Sequence, residues 1–210
     1  MTENSPGIIL RTRALTETSL IIHWLTPELG RIATVAKGAR RNKSPFAGKL
    51  DLFYQLDFSF QRSRRSELHT LREVTLQNTH AEIRLNMERL QQASYASAII
   101  EQTTETESPI PEIFSLYQDF LSYLCTQNPL PRDLFAFEAK LLTELGLQPN
   151  PVAGEARADI GEILRTLLVS DWKTLPRLKL SENQNRVIGD YLRGFIIYHL
   201  GRIPRSRSAG

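Results

Sequence analysis

Apolar and polar positions in the first third of the chain follow a period of two, which is typical of β-strands. Residues 8–13 begin a β-prone segment, and residues 19–26 are apolar and rich in β-branched side chains. A turn pattern at 27–30 has proline early and glycine late, and the strand pattern resumes over residues 31–36. The last two of these strand segments are predicted to form a β-hairpin.

Two further strands are predicted after a polar connection. Residues 52–61 alternate strictly, and the apolar positions on one side are Leu52, Tyr54, Leu56, Phe58 and Phe60. A polar turn over residues 62–66 precedes a fifth strand over residues 67–76. Five short strands within about 75 residues predict a small closed β-barrel of the OB-fold type.

After about residue 79 the apolar period becomes that of amphipathic helices. Prolines interrupt the pattern repeatedly, and Ser181 with Gln184 has the spacing of a capping box. Helices are predicted over residues 81–104, 111–124, 134–145, 160–168 and 182–196. We therefore expect an α+β chain of two domains, with an OB-fold in residues 1–79 and an all-α domain in residues 80–210.

Length and composition agree with a packed protein. The chain has 210 residues and 41% apolar residues, enough for one large or two small domains. No apolar run reaches the ~18 residues of a membrane-spanning helix, and residues 1–6 lack the pattern of an export signal. The single cysteine, Cys125, excludes an intramolecular disulfide and a zinc ribbon. We expect a cytoplasmic protein without a bound metal or cofactor.

Charge is unevenly distributed, although 26 basic and 23 acidic residues give the whole chain only +3. Residues 1–72 contain twelve basic and six acidic residues, a net charge of +6, and residues 73–210 therefore carry −3. A basic N-terminal module of this kind indicates a polyanionic partner such as nucleic acid. A merely solvated basic surface explains the same charge equally well.

Patterns of catalytic chemistry are absent from the sequence. None of the four histidines has a metal-ligand spacing to another histidine or to Cys125, and no phosphate-binding glycine motif occurs. The acidic residues of the helical part are expected on solvated faces, opposite the apolar positions. We therefore predict that the protein is not an enzyme.

The densest basic segment is residues 37–49, here called the basic loop, between the third and fourth predicted strands. It has five cations and no acidic residue. Cations on a loop held by a rigid sheet suit phosphate binding. The candidate DNA-binding residues of the loop are Lys37, Arg40, Arg41, Lys43 and Lys49. Phe46 is a candidate for stacking on a base, and packing against the end of the barrel is an equally good interpretation.

More arginines occur elsewhere in the predicted barrel. The turn before the last strand, which borders the ligand groove of OB-folds, contains Arg62, Arg64 and Arg65. Arg11 and Arg13 share one face of the first strand, and Arg31 begins the third. We expect these arginines to bind DNA in one groove with the basic loop; the alternative is a set of unrelated exposed arginines.

Cations of the helical part are candidates for protein contacts. Arg132 is a lone arginine at a predicted helix start, and the basic C-terminal tail contains Arg202, Arg205 and Arg207. The alternative interpretations are a surface salt bridge for Arg132 and a solvated end for the tail.

Several segments, in the same order, resemble the RecO family of bacterial recombination-mediator proteins. The most specific is Leu29–Arg31 followed by Val35–Arg41, and residues 7–21 are similar to the first strands of the family. Leu145–Pro149 and Tyr198–Arg207 are similar to a helix end and to the C-terminal pattern of its second domain.

The resemblance implies an N-terminal OB-fold and a C-terminal helical domain. It implies binding of single- and double-stranded DNA, annealing of complementary strands, and a location in the cytoplasm with the nucleoid. It also implies action with RecR, and in many bacteria RecF, in loading RecA onto DNA coated with single-stranded DNA-binding protein. The acidic, apolar C-terminal tail of that coating protein is implied to contact the helical domain.

One feature departs from the family. Many members carry a four-cysteine zinc module after the position of Pro149, whereas residues 150–154 contain no cysteine, so the resemblance implies a zinc-free member. The alternative hypothesis is a non-catalytic adaptor whose basic barrel binds RNA or an acidic protein partner.

Overall fold

The computed structural model describes residues 2–149, 155–204 and 207, and for residues 155–159 it describes the backbone. Within these residues, no helix combines the length and the apolarity needed to cross a membrane. The segment 150–154, where the family's zinc module is expected, lies outside the described residues.

The chain divides into two compact units. The barrel unit comprises Met1–Ala81 and Ile100–Gln118, and the helical unit comprises Glu82–Ile99 and Asp119–Gly210. The barrel unit therefore contains helical residues that follow the last strand in sequence.

Five strands form a closed barrel in the order β1-β2-β3-β5-β4. They are β1 (Thr2–Ala14), β2 (Leu20–Thr26), β3 (Gly30–Ala36), β4 (Gln55–Gln61) and β5 (Leu68–Asn78). The β3–β5 pair is parallel, and the other neighbouring pairs are antiparallel. This arrangement confirms the predicted OB-fold barrel.

Alternating residues of the strands fill the barrel interior. Trp24 stacks on Phe58 with ring centroids 4.1 Å apart, and its indole Nε1 donates a hydrogen bond to Thr34 Oγ1 at 2.8 Å. Leu56 and Phe60 are completely buried beside them. The apolar positions of β4 therefore face the core, as the period of two predicts.

The fourth strand begins later than predicted, at Gln55 instead of Leu52. Phe53 has a φ of 67°, in the left-handed region, and extended backbone is interrupted there. Its N–H donates to the carbonyl of Ile9 at 2.9 Å, and the Ile9 N–H donates to the Tyr54 carbonyl at 3.0 Å. These bonds hold a turn that places the Phe53 ring in the core, 1% exposed.

Gly30, at the start of β3, allows a close approach between two segments of the barrel unit. Its φ is +64°, and a Cβ atom there would lie 1.9 Å from the carbonyl oxygen of Ser108. The approach is fixed by hydrogen bonds from Glu107 N–H to Arg31 O at 2.9 Å and from Ile110 N–H to Pro27 O at 3.2 Å. Both the backbone angle and the space require glycine.

Five α-helices follow the barrel strands among the described residues. They are α1 (Met87–Thr103), α2 (Pro111–Thr126), α3 (Pro131–Glu144), α4 (Glu155–Val169) and α5 (Glu182–Leu200). Short 3-10 segments occur at Ala81–Leu85 and Leu175–Arg177. The all-α character predicted for the second part of the chain is confirmed.

Helix ends carry the capping patterns that the sequence predicts. Ser181 Oγ accepts the Gln184 N–H at 3.2 Å, and the Gln184 side chain accepts the Ser181 N–H at 2.9 Å. This capping box starts α5. Gly146 follows α3 with a φ of +74°, and its N–H donates to Thr143 O at 2.9 Å.

Candidate nucleic-acid interface

The basic loop connects β3 to β4 as a series of tight turns. Its backbone N–H groups at Arg41, Ser44, Ala47 and Lys49 donate to carbonyls three residues earlier, at 3.0–3.1 Å. The exposed cations of the loop are Lys37, Arg40, Arg41, Lys43 and Lys49. Within the described residues, none of these five side chains forms an ion pair with a carboxylate. The loop therefore presents uncompensated positive charge to solvent.

Phe46 holds the basic loop against the barrel. Its ring is 7% exposed and belongs to the hydrophobic core that contains Trp24 and Phe58. This corrects the prediction of a base-stacking ring, because a side chain packed into the core does not present its face to a ligand. The alternative interpretation, a plug on the end of the barrel, matches the structure.

The first residues of the basic loop also contact the turn between β1 and β2. The Arg40 N–H donates to Thr18 O at 3.0 Å, and the Arg40 guanidinium donates to Thr16 O at 3.4 Å. The Gly38 N–H donates to Ser19 Oγ at 3.3 Å. The basic loop is thereby held at the β1–β2 end of the barrel.

The outer face of β1, β2, β3 and β5 carries further predicted residues. Arg11 pairs with His23, His23 with Ala33, and Ala33 with Leu68 in the strand register. Because neighbouring strands lie ~4.8 Å apart, this row crosses about 14 Å of sheet. The adjacent row contains Arg13, Ile21 and Val35. Arg13 is exposed on this face, one row nearer to the basic loop.

Arg31 and Arg11 both have partners in the segment that follows the barrel. The Arg31 guanidinium donates from Nε, at 3.1 Å, and from Nη2 to the carbonyl oxygen of Thr104. Arg11 Nε lies 3.4 Å from Glu101 Oε1 while its side chain stays 52% exposed. Arg31 is therefore fixed and half-buried, whereas Arg11 remains open to a ligand.

Arg62 is bound by carboxylates, whereas its neighbours Arg64 and Arg65 are exposed. Its guanidinium binds Glu3 through Nε at 2.8 Å and Nη2 at 3.1 Å, and it binds Glu107 through Nη1 at 2.8 Å. The prediction grouped it with the DNA-binding arginines, but these three hydrogen bonds assign it to anchoring the turn before β5. Arg64 and Arg65 are exposed at the tip of that turn.

The four candidate protein-contact residues of the helical unit differ in their exposure and in their partners. Arg132 lies beside Asp133, Nε to Oδ1 3.5 Å, with its side chain 12% exposed. Arg202 is exposed, and Arg205 lies outside the described residues. Arg207 is bound to Glu138, Nε to Oε1 2.8 Å, so its side chain anchors the tail instead of facing a partner.

Several buried carboxylates were not predicted. Asp133 and Glu138 are completely buried, and Glu101 is 18% exposed, whereas the helical pattern placed acidic residues on solvated faces. Each lies near a cation: Asp133 near Arg132, Glu138 near Arg207, and Glu101 near Arg11. The cations near Glu138 and Glu101 are distant from them in sequence and leave no local signal, so periodicity alone does not identify these two pairs.

His23 occupies a site that disfavours its charged form. Burial, together with the charges of Arg11, Arg13 and Arg31, lowers the pKa of the imidazole from an ordinary 6.5 to about 4. The facing carboxylate of Glu101, 3.7 Å from Nδ1, has a pKa raised by its own burial. His23 Nε2 accepts a hydrogen bond from the Arg11 guanidinium at 3.4 Å, as a neutral ring can.

We expect the barrel unit to lose up to about 3 kcal/mol of stability through His23 as the pH falls from 6.5 to 4. In this window the folded state holds fewer protons on His23 than the unfolded state, so acid favours unfolding. Urea denaturation of the protein and of His23→Gln at several pH values checks this. The variant should show a weaker pH dependence, because glutamine does not titrate in this range. Parallel pH profiles for the protein and His23→Gln would contradict the expectation.

Among the described residues, no group of three or more His, Cys, Asp or Glu side chains is placed to hold a metal ion. Cys125 is half-buried, and burial raises the pKa of its thiol to about 11. Its position matches that of a boundary hydrophobe.

Comparison with known proteins connects both parts of the chain to one family. Family models described as recombination protein O N terminal and C terminal match residues 1–80 and 84–153. Relatives named DNA repair protein RecO include one from Rhodopirellula baltica, 33% identical over 68% of this chain and 53% of that protein. Another, from Desulfosudis oleivorans, is 36% identical over 71% of this chain and 58% of that protein.

A third relative of the same name, from Anaeromyxobacter dehalogenans, is 27% identical over 93% of this chain and 91% of that protein. The chain thus spans just over half the length of the first two relatives and nearly the whole length of the third.

Proposed function

The chain belongs to the RecO family of DNA repair and recombination proteins, and from this membership we propose that it is a DNA-binding recombination mediator. In this proposal it binds single- and double-stranded DNA and anneals complementary strands. With RecR, and RecF where present, it helps to load RecA onto DNA coated with single-stranded DNA-binding protein. It acts in the cytoplasm on nucleoid DNA and makes or breaks no covalent bond.

The observation that carries this proposal is the exposed basic loop on an OB-fold barrel. Its five cations have no carboxylate partner within the described residues, and Phe46 fixes the loop to the core. Arg13, Arg64 and Arg65 add exposed charge on the same unit. A preformed cationic surface binds phosphates without first breaking internal ion pairs, so its charge is fully available to DNA.

Annealing follows from charge neutralisation. Two complementary strands repel one another through their phosphates, and cations that replace condensed counterions reduce this repulsion. Phosphate contacts do not depend on base identity, so any complementary pair of strands is a substrate. The bases remain available to pair when the protein holds the backbone.

The protein partners of this proposal rest on family membership. We assign the acidic, apolar tail of single-stranded DNA-binding protein to the helical unit, with the exposed Arg202 as a candidate contact for its carboxylates. Arg132 and Arg207 are left out of this assignment because each is 12% exposed and pairs with a buried carboxylate, Asp133 or Glu138. RecR is proposed as a partner without assigned residues.

Strand annealing tests both parts of the proposal. We expect annealing of bare strands, and annealing of strands coated with single-stranded DNA-binding protein. A coating protein that lacks its C-terminal tail should reduce annealing several-fold, because the mediator is no longer recruited. The bare strands are the control in the same assay.

Each result of that assay bears on a different step. No annealing of bare DNA would overturn the proposed DNA function, and equal annealing on both coatings would overturn the tail contact alone. The adaptor alternative is tested by competition: RNA or an acidic peptide that displaces single-stranded DNA at lower concentration than unlabelled DNA does would favour it.

A further inference from the structure

A small cavity opens on the outer face of the barrel strands, next to the proposed phosphate-binding residues. It has a volume of about 170 Å³, and its lining includes Arg11, His23, Arg31, Ala33, Glu67 and Glu107. All of these residues belong to the barrel unit. We call this cavity the face pocket.

The formal charges of the face pocket cancel. The guanidinium groups of Arg11 and Arg31 are balanced by the carboxylates of Glu67 and Glu107. Burial lowers the pKa of the His23 imidazole to about 4, so the ring adds no charge at neutral pH. A phosphate would gain little here, because two carboxylates offset the attraction of the two cations. The pocket instead suits a neutral ligand that both donates and accepts hydrogen bonds.

Several walls of the face pocket are held in place by internal hydrogen bonds. Arg31 is fixed by the Thr104 carbonyl. Glu107 Oε1 accepts a hydrogen bond from Arg62 at 2.8 Å and lies 3.1 Å from His69 Nε2. The other ring nitrogen of His69, Nδ1, accepts the Ser63 N–H at 3.4 Å. A site with fixed polar walls costs a ligand less ordering than a flexible surface does.

The surroundings of the face pocket are basic. Leu68, which pairs with Ala33, directly follows the turn with Arg64 and Arg65, and Arg13 lies in the next row of the sheet. These cations lie within a few positions of strand residues that line the pocket, so a DNA strand whose phosphates they bound would pass near it. The pocket is therefore placed to receive the part of a nucleotide that is not phosphate.

We propose that the face pocket receives one unpaired base of single-stranded DNA while the flanking cations hold the phosphates. A volume of about 170 Å³, equal to roughly six waters at about 30 Å³ each, suits one heterocyclic base. Base edges carry both donors and acceptors, which match the carboxylate and guanidinium groups of the walls. Bases of a duplex are stacked and paired and do not enter, so the pocket distinguishes single from double strands. This inference rests on the proposed DNA binding.

The first test needs no variant of the protein. Two single strands of equal length, one intact and one made of abasic nucleotides with the same phosphates, are compared by fluorescence anisotropy. The protein should bind the intact strand about tenfold more tightly. Equal affinities would contradict base binding in the face pocket but not phosphate binding by the exposed cations. Binding of neither strand would contradict the proposed DNA function as well.

The second test fills the pocket. Ala33→Ile adds bulk on β3 and should remove the tenfold advantage of the intact strand, leaving affinity for the abasic strand and for duplex DNA unchanged. Ala33→Ser, of similar size to alanine, and Val35→Ile, in the adjacent row, should retain the advantage. An Ala33→Ile protein that still prefers the intact strand tenfold would overturn the assignment, as would an equal loss on both strands with an unchanged melting temperature.

Discussion

Replacing Glu138 with alanine is expected to lower the free energy of unfolding of the helical unit by about 3–5 kcal/mol. The completely buried carboxylate binds Arg207 with two hydrogen bonds, Nε to Oε1 at 2.8 Å and Nη2 to Oε2 at 3.0 Å. Oε1 also accepts the Tyr95 hydroxyl at 2.6 Å. Burial and the Glu138 charge raise the pKa of that hydroxyl, so it stays a donor. Alanine leaves the buried Tyr95 hydroxyl without its acceptor, and it leaves the Arg207 guanidinium with the Gly189 carbonyl, 3.3 Å from Nη2, but without a carboxylate partner.

Urea denaturation followed by circular dichroism measures this loss. Glu144→Ala, at an exposed position of the same helix, is the matched control and should change stability by less than about 0.5 kcal/mol. The double variant Glu138→Ala with Arg207→Ala should cost less than the sum of the single changes, because no unpaired charge remains buried. A loss below about 1 kcal/mol in Glu138→Ala would contradict the structural role of the pair.

The fold was largely predictable because its signals are local. A period of two marked the strands, a period near 3.6 marked the helices, and the capping box at Ser181 and Gln184 formed as expected. The prediction was wrong at residues 52–54, where alternation continued into a turn. The left-handed backbone of Phe53 depends on hydrogen bonds to Ile9, which is distant in sequence and gives no local sign.

The candidate DNA-binding site was also predictable only where its signals are local. An acid-free run of cations identifies the basic loop, because net charge is a property of the segment itself. The partners that neutralise a cation are not local: Arg62 is bound by Glu3, 59 positions earlier, and Arg207 by Glu138, 69 positions earlier. The sequence therefore locates positive charge but does not tell which arginines remain available to DNA. Phe46 is similar, because its burial depends on the closed barrel.

Reversing the charge of Lys37, Arg40 and Arg41 to glutamate is expected to weaken binding to single-stranded DNA by about a hundredfold at ~0.1 M salt. Each phosphate contact with a single strand releases about 0.7 counterions, so each contact adds about 0.7 to the slope of log affinity against log salt. At ~0.1 M salt, one decade below about 1 M, the loss of three contacts therefore removes about two decades of affinity. The plot of log affinity against log salt should become shallower by about 2 for single strands and by nearly 3 for duplex. All three side chains are exposed, so folding should be retained.

The matched control changes the net charge equally at another place. Arg165, Lys173 and Arg193 are exposed in the helical unit, and their replacement by glutamate alters the total charge by the same amount. Long-range repulsion is common to both triple variants and is screened by salt. Only the loop variant loses phosphate contacts, so only its salt slope should fall. Equal slopes in the two variants would mean that net charge, and not the basic loop, determines DNA affinity.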